Sequence, residues 1–514
     1  MAQGPLPYKI EDERSSCGAT ALGGLPVYLD LAKVLRIAEL VCQHVRARQN
    51  KQGWMDAQIV MALVLLQLAG GDCVDDLKIL DSDEGFCRIL QRVEASLQGL
   101  SRVERRRLQL RWRKQKKRSV PSASSVFRFL NAFEIDESGR GPGKSWIPAP
   151  PAPLQGLYRV NQEVLAGINA RAPQTQATLD MDATLKNVFK ESAQHSYKGP
   201  KAFQPLNVYW AEHDVIVHSE FRDGNVPAGY ENLRVLIEAL EYLPAGVEKV
   251  LFRSDSAAYQ WELILYMARG SHPRFGVIDF SVSVDVSEEF RKAAAQVDAQ
   301  DWKPLLRPIQ KEGGRVEWVP SGHEYAEVCF VPSQLSHSKA NPELRFVAIR
   351  RVLDEADQRR FSGEEGQLAL PFSTMKFDKG WYKLHGIVTN RLQMPANELI
   401  GWHWARCGKS EEAHAIMKDD LAGGRLPCDG FGQNAAWWAI MILAYNLNSA
   451  MKHLVLGEEY KHARLKTMRY RFICLAGRVI EHARQFVIRL SQGHPSLDVL
   501  IKARRRLLML AGAT

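Results

Sequence analysis

The chain has 514 residues, 46% of them apolar and 25% charged, a balance that suits a globular protein with several domains and a large core. A net charge of +10 and a pI of about 9.1 suit a polyanionic partner. Eight scattered cysteines form no CxxC pair, which argues against zinc ribbons and dithiol redox motifs, and no apolar run is long enough to span a bilayer.

The N-terminal "MAQGPLPYKIEDERSS" has neither the basic nor the apolar region of a secretory signal, so the expectation is a cytosolic protein with reduced thiols. Helices are expected over "LAKVLRIAELVCQHV" (31–45), "DAQIVMALVLLQLAGG" (56–71) and "VDDLKILDSDEGFCRILQRV" (74–93). Residues 102–118 then carry ten Lys or Arg against one Glu, with Trp112 among them. "PSASSVFRFLNAF" (121–133) reads as a Pro- and Ser-started helix with Phe127, Leu130 and Phe133 on one face; it suits the second helix of a helix-turn-helix, as do many short amphipathic helices. The Gly/Pro-rich "GRGPGKSWIPAPPAP" (139–153) breaks the pattern, and a domain boundary is placed there.

Beyond it strands are expected near 178–185, 206–212, 214–221, 249–254 and 275–284, with helices at 229–243 and 257–268. This order describes an α/β sheet with an antiparallel start and a crossover. Residues 285–395 are mixed and strand-rich, with candidates in "EVCFVP", "LRFVAIRRV" and "WYKLHGIVTN". Helices return from about 408, and the basic tail at 460–510 reads as helical.

The first strand, "TLDMDATL" (178–185), holds Asp180 and Asp182. Residues two apart share a strand face, so with two carboxylates on one face either the strand lies at the surface or something positive sits against it. The fourth strand ends in "KVLFRSDSAAY", which places Asp255 just past the end of a buried strand, where α/β folds hold their sites. Taken alone, Asp255 reads first as a helix cap. In "WARCGKSEEAHAIMKDDL" a helix is expected to open at Lys409 or Ser410, and Glu411 taken alone reads first as a charge offsetting the helix dipole. Taken together, two strand-borne aspartates and a helix-borne glutamate supply hard oxygen ligands for two divalent metals. Such a pair activates water and stabilises the leaving oxygen in phosphodiester cleavage, and with no His/Cys cluster Mg²⁺ or Mn²⁺ is favoured over zinc.

At these residues the chain resembles bacterial DDE transposases of the IS4 superfamily, most closely the IS1380-type group, over most of its length. "LAGGDCVDDLKIL" and "PSASSVFRFLNAF" look like the N-terminal helical region. "TLDMDATL" and "FRSDSAAY" look like the segments of the first and second Asp, and "LPCDGFGQNAAWWAIMILAYNL" like the helix after the Glu. The superfamily's signature is Tyr, two residues, Arg, three residues, Glu, six residues, Lys. At that spacing this chain has Trp404, Cys407, Glu411 and Lys418, with Arg406 one place from the missing arginine.

The resemblance implies an RNase H-like α/β core with a β-rich insertion, a helical N-terminal DNA-binding region and a helical C-terminal tail. The divisions are 1–150, 151–284, 285–395, 396–455 and 456–514. It implies cut-and-paste transposition by a bacterial, cytoplasmic, nucleoid-associated enzyme that uses Mg²⁺, with Mn²⁺ as a substitute. Asp182, Asp255 and Glu411 would be catalytic metal ligands. The family's Asp-x-Thr pattern selects Asp182 with Thr184, and Asp180 remains an alternative ligand on the same face. The implied partners are double-stranded DNA, at the terminal inverted repeats and the target, and a second copy of the chain in a synaptic complex. Lys418, Arg406 and Trp404 are candidate DNA contacts. So are Arg105, Arg106, Arg107, Arg111, Arg113, Lys114, Lys116, Lys117 and Arg118 of the basic run, each able to release counterions from phosphate. The rival expectation is a catalytically silent, transposase-derived regulator, for which the changed positions Trp404 and Cys407 speak.

Overall fold

The computed structural model describes residues 18–48, 53–96, 118–141, 143–311, 314–335, 341–353, 373–377, 380–482 and 485–512. The basic run at 102–118 lies outside the described residues except for Arg118, which pairs with Asp81 at 3.0 Å.

The run 31–45, expected as one helix, forms two, α1 (Pro26–Val34) and α2 (Ile37–His44). They part at Arg36, whose left-handed φ of 58° interrupts the 3.6-residue repeat. α3 (Asp56–Ala69) ends where expected: Gly70, at φ 106°, donates its N–H to the carbonyls of Gln67 and Leu66. α4 (Leu77–Ser82) and α5 (Glu84–Ser96) follow. In α6 (Ala123–Leu130) the Ser122 hydroxyl accepts the Ser125 N–H, as its sequence suggests. Its buried face is Val126, Phe129 and Leu130, joined by Phe133, while Phe127 faces out. The expected Phe127 face is thus rotated, because the packing against α3 and the later helix at Phe431–Ala450 selects the neighbouring stripe. α7 (Ala152–Arg171) starts at the end of the Gly/Pro-rich stretch. One apolar core joins both sides of that stretch, running from Leu22 to Leu510.

The centre of the molecule is a ten-stranded sheet. β1 (Gln176–Ala183), β2 (Leu206–Trp210) and β3 (Val215–Glu220) are followed by α8 (Asn232–Tyr242), β4 (Lys249–Ser254), α9 (Trp261–Ala268) and β5 (Asp279–Val284). This is the expected order of elements. β1 pairs antiparallel with β2 and parallel with β4, and β4 pairs parallel with β5. After α10 (Glu288–Ala295) come β6 (Lys303–Gln310), β7 (Val316–Val328), β8 (Arg345–Val352), β9 (Thr374–Phe377) and β10 (Gly380–Thr389). The strand-rich segment continues the same sheet, since β10 pairs antiparallel with β5 and the order reads β3-β2-β1-β4-β5-β10-β8-β7-β6.

Two expectations near the C-terminus are corrected. The glutamate-bearing helix α11 opens at Ala396, directly after Pro395, and runs to Ala415. The stretch before Lys409, expected to lie outside the helix, is helical because Leu399, Ile400, His403, Arg406 and Ser410 repeat at helical spacing on a buried face. Glu411 therefore lies in the last turns of α11, where it cannot serve as a first-turn dipole partner. α12 (Phe431–Ala450) is buried all round, and Trp437 and Trp438 are core as expected; Trp438 donates its indole N–H to Ser219 of β3 at 2.8 Å. After the short α13 (Leu465–Met468) the tail is not continuously helical. A hairpin of β11 (Gly477–His482) and β12 (Gln485–Leu490) pairs with Ala19–Thr20 before α14 (Leu497–Gly512). The "RVIEH…QFVIRL" alternation has the two-residue period of strands, which the basic residues conceal. The described cysteines are all free thiols. Among the described residues, no single helix is long and apolar enough to cross a membrane.

A buried charge cluster ties α12 to the sheet. Asp214 takes a left-handed φ of 55° in the β2–β3 turn, a conformation that Asp tolerates. Its carboxylate accepts hydrogen bonds from Tyr209, Tyr445 and buried Lys452, each at 2.8 Å. Burial alone would raise its pKa, but neighbouring His453, Lys452 and Tyr209 outweigh that and hold it below the usual carboxylate range. Asp214→Ala leaves the Lys452 ammonium buried and unpaired, so urea denaturation is expected to show a loss of about 3–5 kcal/mol. Because the folded pKa is lowered, the stabilisation is complete above the unfolded aspartate value of roughly 3.9 and fades as pH falls through the lower folded value. The variant's deficit should therefore shrink in strong acid.

Candidate active site

The site begins with strand register. β1 and β4 run parallel, with Asp180 beside Arg253 and Met181 beside Ser254. One residue further along each strand, Asp182 and Asp255 come level, both at the C-terminal ends. Alternation puts Asp180 and Asp182 on one face, and Arg253 and Asp255 likewise. The Arg253 guanidinium donates to both oxygens of Asp180, at 2.6 and 2.8 Å, and both residues are buried. The positive group facing Asp180 is thus Arg253. With both oxygens engaged, Asp180 is a cross-strand clamp, in place of the alternative metal ligand considered from the sequence. Arg253 also donates to the carbonyl of Trp402 in α11 at 2.7 Å, so one side chain joins two strands and the glutamate helix.

α11 crosses this face over β1, β4 and β5. His403 is clasped by Ser281 (2.7 Å) and Ser283 (3.0 Å) of β5, and burial pushes its pKa down to about 3, leaving it neutral. Arg406, one helical turn on, lies 3.6 Å from Asp182, and the Ser410 hydroxyl donates to Asp182 at 2.8 Å. His414 lies 3.9 Å from Asp182, with its other nitrogen 3.3 Å from the Asn207 amide; burial pushes it down to about 4. It packs beside the carboxylate as a neutral ring. Glu411, adjacent to Ser410, is exposed on the flank of the helix. Lys418 falls in a π-helical turn, Ile416–Asp420, which continues α11 with altered phasing, so it is not simply two α-turns from Glu411.

The carboxylates repel one another. Burial pushes Asp255 above the usual carboxylate range, and the Asp182 charge adds to the shift. Burial raises Asp182 too, with Glu411 adding and Ser410 and Arg406 opposing. A cleft of about 420 Å³ opens beside Asp255, lined also by Ser256, Ser283, Asp285, Ser373 and His385. Among the described residues no three His, Cys, Asp or Glu side chains are drawn together closely enough to hold an ion as they stand. Arg406 supplies the positive charge at Asp182 instead. The donor set nevertheless fits a divalent cation in its chemistry: hard carboxylate oxygens, mutually repelling, beside an open cleft.

The tryptophans read as possible stacking platforms have protein partners. Trp404 packs edge-on against His323 of β7, with ring centroids 5.2 Å apart, beside a small apolar cluster that includes Leu305 and Ile349. Trp402 lies under the guanidinium groups of Arg253 (5.5 Å) and Arg391 (4.8 Å). Trp404, a candidate DNA contact from the sequence, thus sits at the contact between α11 and the β7 strand.

Residues 15–511 match the family described as transposase DDE domain group 1. The chain belongs to this family. DDE transposases are divalent-metal enzymes as a class, and the Asp182–Asp255–Glu411 set of this transposase has the residue types the class requires. No curated protein matches the chain. Among solved structures, it is similar to the piggyBac transposase synaptic complex with hairpin DNA, determined by cryo-EM. The identity is 9% and the TM-score 0.34, over 89% of this chain and 81% of that one.

Arg253, Ser410 and His403 were not singled out from the sequence. The signal for Arg253 was present: it precedes Asp255 by two residues, as Asp180 precedes Asp182, so a charged pair could be matched across neighbouring strands. Two outcomes follow. Arg253→Met strands the Asp180 carboxylate in the core and is expected to cost about 3–5 kcal/mol in a denaturant titration. Asp255→Asn keeps the cap on the Ala257 N–H and removes a repelled charge. In chelator at neutral pH its melting temperature should therefore equal or exceed that of the wild type, whereas a purely structural Asp255 would give a lower one.

Proposed function

We propose that this transposase performs cut-and-paste DNA transposition, with Asp182, Asp255 and Glu411 as its catalytic carboxylates. The observation that carries the reading is that Asp182 and Asp255 lie level at the ends of adjacent parallel strands, with Ser410, next to Glu411, bonded to Asp182. The sheet order β3-β2-β1-β4-β5, antiparallel then parallel, supports an RNase H-like core to which the strands of 303–389 are an insertion. Membership of the IS1380-type group of the IS4 superfamily is part of the same proposal.

Asp182, Asp255 and Glu411 would hold Mg²⁺ or Mn²⁺. A metal held there would supply the activation of water and the stabilisation of the departing 3′ oxygen. The remaining work belongs to the chain. Asp180 and Arg253 lock the two strands in register, and Ser410 orients the Asp182 carboxylate. Arg406, 3.6 Å from Asp182, would engage a phosphate oxygen of the bound strand. Lys418 neutralises a neighbouring phosphate. The freed 3′-OH then attacks target DNA, and two copies of the chain hold both ends of the element together for this joining. No covalent protein–DNA intermediate forms, so no Ser or Tyr nucleophile is required. The basic run Arg105 to Arg118 adds sequence-independent phosphate contacts, which make binding fall steeply with salt.

A second reading, a silent DNA-binding regulator, draws on Arg406 standing beside Asp182 and on Trp404 and Cys407 departing from the signature. A labelled duplex carrying the element's end separates the two. The transposase reading expects nicking that requires Mg²⁺ and falls at least about 100-fold in Glu411→Gln, which keeps the size of the side chain and loses its charge. Equal cutting by both proteins removes Glu411 from the site. Binding without cutting by the wild type supports the regulator.

A further inference from the structure

Between β1 and β2 the chain makes an excursion that the mechanism above does not use. It leaves β1 just after Asp182. Lys186–Asn187 then pairs antiparallel with Ala202–Phe203 to form a small two-stranded sheet. The sequence between them, "KNVFKESAQHSYKGPKAF" (186–203), holds four lysines and one glutamate. The Phe189 ring is fully exposed, and Tyr197, at the tip of a turn closed by the Gly199 N–H to Ser196, is 77% exposed. The Lys198 ammonium stands 5.6 Å from the Tyr197 ring.

The excursion is held in place. The Ala193 side chain is buried, the Gln194 N–H bonds to buried Asp223 at 2.8 Å, and Ser192 bonds to the carbonyl of Asp429. Lys190 reaches the Asp429 carboxylate at 3.5 Å. The Lys186 ammonium lies against Gly424, where the chain returns past the carbonyl of Lys418. The excursion therefore runs from the Asp182 strand to the segment that follows the glutamate helix, carrying two outward aromatic rings interleaved with positive charge.

We propose that this excursion binds an unpaired DNA strand beside the cleavage site. Phe189 and Tyr197 stack on exposed bases, and Lys186, Lys190, Lys198 and Lys201 follow the phosphates. A paired duplex hides its base faces, so an exposed phenyl ring gains little from it. An unpaired base offers a π-face whatever its identity, and the aromatic–lysine combination matches that chemistry. The charge argues for a polyanion over a protein surface or a second copy of the chain. The proposal rests on the DNA-processing reading above and names which part of the substrate this surface takes.

The test is fluorescence anisotropy without divalent metal, so that nothing is cut. The probes are a blunt duplex and the same duplex with a single-stranded extension carrying 2-aminopurine. Wild type should favour the extended probe and quench its 2-aminopurine. The double substitution Phe189→Ser with Tyr197→Ser should weaken the extended probe by roughly tenfold and abolish the quenching, while leaving blunt-duplex affinity unchanged. Phe189→Tyr, which keeps a ring, should restore binding. Both substituted side chains are solvent-exposed, and circular dichroism confirms that the variant is folded. Equal affinity of wild type for both probes, or a double variant that binds and quenches like wild type, overturns the proposal. A double variant altered only in self-association assigns the surface to a second copy and overturns it too. If wild type nicks its end duplex yet shows no preference for the extension, this proposal alone fails. If wild type binds neither probe and nicks nothing, the transposase reading fails with it.

Discussion

A buried ion pair, Arg253 with Asp180, is what the rest of the site depends on. Both groups are out of water, and each carries a desolvation cost that the other offsets in large part, through two parallel hydrogen bonds. That requirement couples the two strands, since slipping β4 against β1 by one residue would turn Arg253 to the opposite face and leave Asp180 unpaired. With the register so held, Asp182 and Asp255 come level one residue beyond. The further bond from Arg253 to the Trp402 carbonyl then seats the glutamate helix on the same platform.

The face above that platform is an electrostatic compromise. Two half-buried carboxylates stand here: burial raises the pKa of both, the Asp182 charge adds to the shift of Asp255, and Glu411 adds to that of Asp182. Ser410 and Arg406 relieve part of it from α11, while His403 and His414 are kept neutral by burial and contribute polarity without charge. A group of carboxylates that repel one another is chemically suited to a cation. This instability is tolerable because the surrounding structure is strongly held by other means. α12 is buried along its whole length, and the Asp214–Lys452 pair fastens its far end to the sheet.

The segments around the site divide the labour. The strands after β5 extend the sheet, and through His323 they pack on Trp404 of α11, so they brace the glutamate helix from the side. The excursion after β1 is fastened at Asp223 and Asp429 and turns its aromatic and basic groups outward. Rigid support below and adaptable side chains above is the usual division between a scaffold and its binding loops.

The sequence by itself determined the element order of the central region, because strands and helices there have clean two-residue and 3.6-residue periods. It also determined the candidate carboxylates, since a charged residue inside an apolar strand is visible without coordinates. Where one pattern masked another, it misled. Basic residues concealed the β11–β12 alternation, and closely spaced tryptophans and glycines concealed the first turns of α11. Which stripe of "ASSVFRFL" turns inward was undecided because two neighbouring faces are both apolar, and only the packing against α3 and α12 chooses. Tertiary structure alone decided that the positive partner of Asp180 is Arg253. Their chain positions are far apart, and only the parallel pairing of β1 with β4 brings them side by side.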